Sequence, residues 1–183
     1  MKLVIGITGA SGMIYAKNLI EYCQNKFEVH LIITKPAEII LKHELNLTKS
    51  YFQDLVYKLY SPDDIAAPIA SSAYKIDAYI VIPCSNKTLG CVANGIALNL
   101  VMRACDVALK ENRKLIIVNR ETPLSLINLE NMVKLKKAGA IILPAMPGFY
   151  HMPNNLEDIA NFIVGKVLDQ LGVSHDFIAY QPD

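Results

Sequence analysis

Two polar segments each follow a run of apolar residues, and both carry side chains suited to binding or acid–base chemistry. Cys84–Thr88 places a thiol, two hydroxyls, an amide and an amine at the predicted start of a helix. This set suits the heteroatom edge of a planar ring or a phosphate, and simple helix capping is the alternative. In the second segment, Arg120 can bind a phosphate or ring carbonyl and Glu121 can move protons. A mutual ion pair is the alternative for these two.

A glycine-rich segment follows the first apolar run, with glycines at positions 6, 9 and 12. The spacing differs from the dinucleotide-binding G-x-G-x-x-G pattern. A tight turn before a helix still favours an anion, because free N–H groups point out of the helix start. Ser11 can cap this helix or bind a ligand, and Thr34, after the second strand, allows the same two interpretations.

Two cations lie seven residues apart on one predicted helix. Arg103 and Lys110 are separated by about two turns and so share a face, with Asp106 between them. The preceding turns are almost wholly apolar, so the pair is a candidate anion-binding site. A salt-bridged surface is the alternative.

The segment Pro144–His151 is rich in proline and aromatic residues and predicts a stiff apolar wall with one hydroxyl, on Tyr150. A rigid surface loop is the alternative. Lys166, on the last predicted helix, is by itself an ordinary solvated lysine. The sequence shows neither a nucleophile–base pair nor the ligand spacing of a metal site.

Alternating apolar runs and helical patterns position these segments. The predicted strands are Lys2–Thr8, Glu28–Thr34, Tyr57–Tyr60, Asp77–Pro83, Lys114–Asn119 and Ala140–Leu143. The predicted helices are Ser11–Asn25, Ala37–Leu45, Lys87–Lys110 with a possible break near Asn94-Gly95, Ser125–Ala138 and Leu156–Leu171. Continuously apolar strands alternating with helices indicate an α/β protein: a single-domain, doubly wound, Rossmann-like parallel sheet in a three-layer α/β/α arrangement. In such sheets ligands bind beyond the carboxyl ends of the strands.

Length, composition and charge indicate how many domains the chain has and which kinds of partner it can bind. The 183 residues suit one domain spanning 1–183, with a loosely held tail over 174–183. A net charge of +1 gives no basic field for nucleic acid or anionic lipid. The four cysteines lie in apolar segments and are predicted to be buried thiols. Because Met1 leads directly into a strand and no apolar run is long enough to span a bilayer, we expect a cytoplasmic protein.

Together and in this order, the segments resemble the UbiX flavin prenyltransferase family over nearly the whole chain. The residues that carry the resemblance are Ile5–Gly12, Ile14-Tyr15, Asp64–Ala67, Pro83–Leu89, Arg103–Glu111, Arg120–Leu124, Pro147–His151 and Val167–Leu171. The most specific signal is Arg-Glu-Thr-Pro-Leu followed at this distance by Phe-Tyr-His.

The resemblance implies a sheet of order 3-2-1-4-5-6 and a closed homododecamer with flavin at subunit contacts. It also implies that the enzyme joins a dimethylallyl group from dimethylallyl monophosphate, or in some members the diphosphate, to N5 and C6 of reduced FMN, without a metal. The product, prenylated FMN, serves UbiD-type decarboxylases. The resemblance implies these FMN-binding residues: Gly9, Ala10, Ser11, Thr34, Ser85, Asn86, Lys87, Thr88 and Arg120.

By the same resemblance, the prenyl-phosphate binders are Arg103, Lys110, Tyr150 and Lys166, with Glu121 as the acid/base carboxylate and Glu44 as a second functional glutamate. The chain departs from the family pattern in Ala70–Ala73, near the contact with the flavin of a neighbouring subunit, and also at Asn99 and Met102. These departures concern substrate preference more than the reaction.

Two other functions remain open at this point. One is a flavin-dependent cysteine-type decarboxylase of the same fold, which uses an early histidine in a context different from those of His30 and His43. The other is a non-catalytic FMN-binding protein, which has no need of Glu121.

Overall fold

The sheet and its helices follow the predicted alternation in a computed structural model that describes residues 1–177. The strands are β1 (Lys2–Ile7), β2 (Glu28–Ile33), β3 (Lys58–Tyr60), β4 (Ala78–Cys84), β5 (Lys114–Asn119) and β6 (Ile141–Ile142). The helices are α1 (Met13–Cys23), α2 (Lys35–Leu45), α3 (Asn86–Ala93), α4 (Leu100–Lys110), α5 (Leu126–Lys137) and α6 (Leu156–Leu171). Short 3-10 turns occupy Lys49–Phe52 and Pro68–Ala70.

The six strands form one parallel sheet in the order β3-β2-β1-β4-β5-β6. This confirms the predicted α/β class and strand order. β1 and β4 lie side by side at the centre. Strands are added from β1 towards one edge of the sheet and from β4 towards the other, so the direction of addition reverses between them. Every residue of β4 is buried, as a strand covered on both faces must be. The reversal places the carboxyl ends of β1 and β4 at the position where ligands bind in this class of sheet.

Helices cover both faces of the sheet and create two separate apolar cores. On one face, Leu3 and Ile5 of β1 pack with residues of α1, α2 and α6. On the other, Val4 of β1 and Val81 of β4 pack with residues of α3, α4 and α5. Alternate strand residues point to opposite faces, so each strand contributes to both cores. α4 and α6 are therefore on opposite sides of the sheet.

The long helix predicted for Lys87–Lys110 is two helices, α3 and α4, separated by residues 94–99. The break begins at the predicted Asn94-Gly95 position, where Gly95 has a positive φ of 68°. Asn99 then caps α4, because its side-chain oxygen accepts a hydrogen bond from the backbone N–H of Met102 at 3.1 Å. This cap starts α4 in a new direction and brings Asn99 and Met102 to the ligand-binding edge.

The chain beyond α6 is described as far as residue 177. The hydroxyl of Tyr22 donates to the backbone oxygen of Ser174 at 3.0 Å, and the ring of Phe177 packs on that of Tyr22. Residues 178–183 of the predicted tail lie outside the described residues. Within residues 1–177, none of the helices combines the length and apolarity needed to cross a bilayer.

Candidate active site

Thr8 fastens the two central strands together where their loops diverge. Its hydroxyl donates to the backbone oxygen of Pro83 at 2.9 Å and accepts from the backbone N–H of Ser85 at 2.8 Å. Thr8 is 1% exposed; its bond to Pro83 is buried and its bond to Ser85 is partly buried. They set the spacing between the glycine-rich loop and the segment that starts α3.

Two neighbouring cavities open at this edge and share the lining residues Gly9, Ser85, Asn86 and Glu121. All nine residues predicted to hold FMN line one cavity or the other: Gly9, Ala10, Ser11, Thr34, Ser85, Asn86, Lys87, Thr88 and Arg120. Glu44 and Glu121 line them as well, together with Asn99 and Met102. The fold thus gathers residues from the segments after β1, β2, β4 and β5, from α2 and from the start of α4 around these two cavities.

The cap position at the start of α1 is occupied by Gly12 rather than by Ser11. Gly12 occupies the cap position with a φ of 105°, a conformation that suits glycine, and no side chain there caps the helix. The carboxylate of Glu44 takes over this role: it accepts hydrogen bonds from the N–H groups of Gly12 at 3.0 Å and Met13 at 2.8 Å. The anion at the start of α1 is therefore the chain's own side chain.

Glu121 is oriented by a chain of amides that starts in the core. The amide nitrogen of Asn119 donates to the Asn86 side-chain oxygen at 3.1 Å and to the backbone oxygen of Cys84 at 3.2 Å. The Asn86 amide nitrogen then donates to Glu121 at 2.9 Å. Asn119 is 3% exposed and was missed as a site residue in the sequence. The available signal was a polar residue closing an otherwise apolar strand.

Arg120 and Glu121 bind different partners rather than each other. The Arg120 side chain donates from Nε to the backbone oxygen of Ser11 at 3.2 Å, which ties the end of β5 to the glycine-rich loop. Glu121 accepts instead from Asn86 and from the N–H of Thr122. Tyr15 packs near Arg120: burial raises the pKa of its hydroxyl, opposed by the Arg120 charge.

Ser85 and Thr34 have structural roles in addition to lining the cavities. The hydroxyl oxygen of Ser85 accepts from the Thr88 N–H at 3.3 Å and so caps α3. Thr34 stands at the start of α2, but its hydroxyl donates to the backbone oxygen of Ile7 at 3.2 Å instead of capping that helix. Both hydroxyls are held in place before any ligand arrives.

Arg103 and Lys110 lie along one side of α4, outside the residues that line the two cavities. The Arg103 guanidinium donates to Asp106 at 2.7 Å and to the backbone oxygen of Ala70 at 3.3 Å. Lys110 is exposed at the end of the helix. Arg103 therefore anchors the Ala70–Ala73 segment, the same segment that departs from the family pattern.

Tyr150 and Lys166 lie together on the other side of the sheet, against α6. The Tyr150 ring meets that of Phe162 at 5.6 Å, and the Lys166 ammonium lies 5.8 Å from the centre of the same ring. Met146 and Phe149 of the predicted apolar wall are exposed, at 63% and 64%. In one chain the four predicted phosphate binders thus form two pairs on opposite faces of the sheet.

Cys23, Cys84 and Cys105 are buried, whereas Cys91 is half-buried, which corrects the prediction of four buried thiols. Burial raises the pKa of Cys105 to about 12 and that of Cys84 well above its ordinary value. Both therefore remain protonated, and neither is an available thiolate nucleophile at neutral pH. Within residues 1–177 no group of three or more His, Cys, Asp or Glu side chains is arranged to hold a metal ion.

The Flavoprotein family model matches residues 1–168. The flavin prenyltransferase UbiX of Methanocaldococcus jannaschii is 50% identical over 175 residues, covering 96% of this chain and 95% of that protein. UbiX of Alkalihalophilus pseudofirmus is 47% identical over 184 residues, covering 94% and 92%. The chain belongs to the UbiX flavin prenyltransferase family. This confirms the family and the enzyme class predicted from the sequence motifs.

Solved structures of UbiX-type proteins share the whole fold. AnUbiX (PadA1), in complex with FMN and dimethylallyl pyrophosphate, has a TM-score of 0.96 and 35% identity, covering all of this chain and 97% of that one. A dodecameric FMN-dependent UbiX-like decarboxylase from Escherichia coli O157:H7 has a TM-score of 0.93 and 42% identity, covering 96% and 97%. The peptidyl-cysteine decarboxylase EpiD, 20% identical with a TM-score of 0.67, shares the fold.

Proposed function

We propose that this enzyme transfers the dimethylallyl group of dimethylallyl monophosphate to N5 and C6 of reduced FMN, with release of phosphate. The observation that carries the proposal is the pair of cavities at the sheet edge, where all nine predicted flavin residues meet the oriented carboxylate of Glu121. The product is prenylated FMN, which a UbiD-type decarboxylase receives as its cofactor.

The side chains around the cavities fit FMN. The start of α3 offers the hydroxyls of Ser85 and Thr88, the Lys87 ammonium and free backbone N–H groups, a set that suits a phosphate. Glu44 already occupies the equivalent position at α1, whereas the first turn of α3 contains no acidic side chain. Asn86 and Arg120 add the donors and acceptors that a flavin ring edge needs.

Each protein group has a distinct task in the transfer. Reduced FMN, when bound, supplies the nucleophilic N5 and C6 atoms. The cations Arg103, Lys110 and Lys166, with the hydroxyl of Tyr150, bind the phosphate and stabilise its charge as the prenyl C–O bond breaks. The bond to N5 replaces the C–O bond to phosphate, and the bond to C6 uses the prenyl double bond. Glu121, in the position that Asn86 sets, relays the protons: the one released at N5 goes to the leaving phosphate, and the one released at C6 goes to the other carbon of that double bond. Holding the two reactants in line contributes roughly 7–11 kcal/mol to catalysis.

The location of these groups supports a site shared between subunits. Arg103 and Lys110 lie on α4, and Tyr150 and Lys166 lie against α6, on the opposite face of the sheet. One phosphate therefore meets both pairs only where copies of the chain join. The dodecamer formed by the Escherichia coli relative supports a homododecamer here.

The test compares the Glu121→Gln variant with Glu130→Gln, a matched control on the exposed side of α5. The proposal expects Glu121→Gln to bind FMN normally and to lose most prenyl transfer, while the control keeps both. Each protein is assayed without oxygen against the monophosphate and the diphosphate of the dimethylallyl donor. Full transfer by Glu121→Gln would contradict the role of this carboxylate, and a preference for the diphosphate would contradict the proposed donor.

A further inference from the structure

The ring of Phe162, in the middle of α6, is the common neighbour of three side chains. His151 stacks on it with ring centres 5.5 Å apart and an angle of 21° between the planes. Tyr150 meets it nearly edge-on at 5.6 Å and 76°, and the Lys166 ammonium lies 5.8 Å from its centre. Phe162 is itself 8% exposed and packs in the core beneath α6. Its ring is therefore rigidly held, whereas the side chains around it lie on the surface.

Gly148 shows how closely the loop before Tyr150 fits this ring. A Cβ atom at position 148 would lie 3.0 Å from two ring atoms of Phe162 and 3.0 Å from the ring of Tyr150. Such distances require one of the two rings to shift. The absence of a side chain at Gly148 lets the loop pass over Phe162 with Tyr150 in its present position.

The rest of the loop is fastened to the same helix by polar contacts. The backbone N–H of Asn154 donates to the Asp158 carboxylate at 2.8 Å, and His151 Nε2 lies 3.4 Å from the Asp158 backbone oxygen. Asp158, Phe162 and Lys166 are four residues apart and so form one stripe along α6. The loop and the lysine thus share a single surface, with the Phe162 ring at its centre.

The side chain of Lys166 is also held from a second direction. Its ammonium donates to Asp169 at 3.2 Å, one turn further along α6. The ring of Phe162 and the carboxylate of Asp169 together confine a long, flexible side chain to a small region. Without the ring, Lys166 and Tyr150 lose a group that lies beside both of them.

We propose that Phe162 is a positioning residue that holds the Tyr150 hydroxyl and the Lys166 ammonium at a fixed separation for the prenyl phosphate. The inference rests on the proposed function, because it assigns these two groups to the donor phosphate. Phe162 acts through Tyr150 and Lys166 rather than by touching the substrate. Its loss should weaken binding of the donor and leave FMN binding unaffected, because Phe162, Tyr150 and Lys166 are not among the residues that line the two cavities.

The test measures KM for dimethylallyl monophosphate and Kd for FMN in Phe162→Leu, Gly148→Ala, Tyr150→Phe and the double variant Phe162→Leu/Tyr150→Phe. Phe162→Leu should raise KM on the order of tenfold, since small displacements of positioning groups have effects of this size. Gly148→Ala, whose added Cβ presses on the rings of Phe162 and Tyr150 while both side chains are kept, should raise KM in the same direction. Kd for FMN should stay the same in all of them.

Non-additivity separates positioning from general structural damage. If Phe162 acts through Tyr150, removing both rings' interactions should do little more than removing one. The fold increase in KM of the double variant should therefore be well below the product of the fold increases in the two single variants. Phe52→Leu is the matched control, because Phe52 is also a buried ring of the same core but lies away from this loop. It should lower thermal stability and leave KM unchanged.

Three outcomes would count against the inference. An unchanged KM in Phe162→Leu, with transfer intact in the unaltered enzyme, would overturn it alone. Fully multiplicative effects in the double variant would also overturn it, because Phe162 would then act independently of Tyr150. An unaltered enzyme that binds FMN and transfers no prenyl group would instead overturn the proposed function, and with it the role of Phe162.

Discussion

The side-chain amide of Asn86 donates a hydrogen bond to the Glu121 carboxylate at 2.9 Å, and its own oxygen is held by the buried Asn119. A carboxylate that moves protons needs a fixed direction, and here that direction is set from the end of β5. The core of the sheet and the proposed acid–base group are thus linked through two amides.

Replacing Asn119 with alanine tests this link. The variant loses the bonds to Asn86 and to the Cys84 backbone oxygen, so the free energy of unfolding should fall by about 1–3 kcal/mol. The kcat of prenyl transfer should fall as Asn86 and Glu121 lose their orientation, while FMN is still bound. Denaturant unfolding and steady-state kinetics measure the two effects, and an unchanged kcat would show that Asn119 has only a structural role.

Glu44 should stabilise α1 as well as line the cavity. Because its carboxylate caps the N–H groups of Gly12 and Met13, Glu44→Ala should lower the free energy of unfolding by about 1 kcal/mol. Glu38→Ala is the control, since Glu38 lies in the first turn of the same helix and forms a surface ion pair with Lys49 at 3.6 Å, without a hydrogen bond to the start of α1. Equal losses in the two variants would refute the capping role.

His30 should make the folded state sensitive to acid. Burial lowers the pKa of His30, opposed by its hydrogen bond to Glu28, so the folded protein disfavours the protonated ring. The unfolded chain binds that proton more readily. The stabilising contribution is therefore complete above the unfolded pKa of about 6.5 and is lost as the pH falls below it.

The contribution of His30 to the pH dependence of stability can be measured separately from that of the groups around its ring. His30 hydrogen-bonds Tyr60 at 3.0 Å and Glu28 at 3.1 Å and lies near Tyr74 and Tyr57, with Lys2 and Lys58 at the edge of the cluster. Urea unfolding at pH 7.5 and pH 5.5 should show a smaller pH dependence in His30→Gln than in the exposed-site control His43→Gln. The same pH dependence in both would exclude His30 as the source.

A site shared between chains predicts complementation. In such a site, one chain supplies the cavities with Glu121 and a neighbouring chain supplies Lys166 on its α6. Glu121→Gln disables the first contribution, and Lys166→Ala disables the second. Mixed oligomers made by refolding or co-expressing the two variants should regain part of the transfer activity that each lacks alone. No recovery, despite mixed oligomers shown by native mass spectrometry, would place both residues in the same chain's site.

Local patterns were sufficient to predict a parallel sheet and the loops that line the cavities, whereas the order of the strands came from the family resemblance. Continuous apolar strands followed by polar residues at helix starts led to Ser85–Thr88 and to Arg120, and the fold brings them together. The division of α3 from α4 was only partly visible, because it depends on Asn99 capping a helix whose first N–H also bonds the Pro62 backbone oxygen. That contact spans nearly forty residues of sequence.

Other features of the site depend on distant contacts that no local pattern contains. Glu44 meets the start of α1 thirty-two residues away, and Asn119 reaches Asn86 across neighbouring strands. The separation of Arg103 from Lys166 by the thickness of the sheet follows from which face each helix covers. Family resemblance identified Glu44, Asn86, Arg103 and Lys166 without locating them in space, and it did not identify Asn119.

The most direct test of the central claim is mass spectrometry of the flavin released after incubating the enzyme, without oxygen, with reduced FMN and dimethylallyl monophosphate. The account predicts a flavin heavier than FMN by one dimethylallyl unit. Unmodified FMN, released from protein shown to bind it and offered both the monophosphate and the diphosphate, would contradict the account.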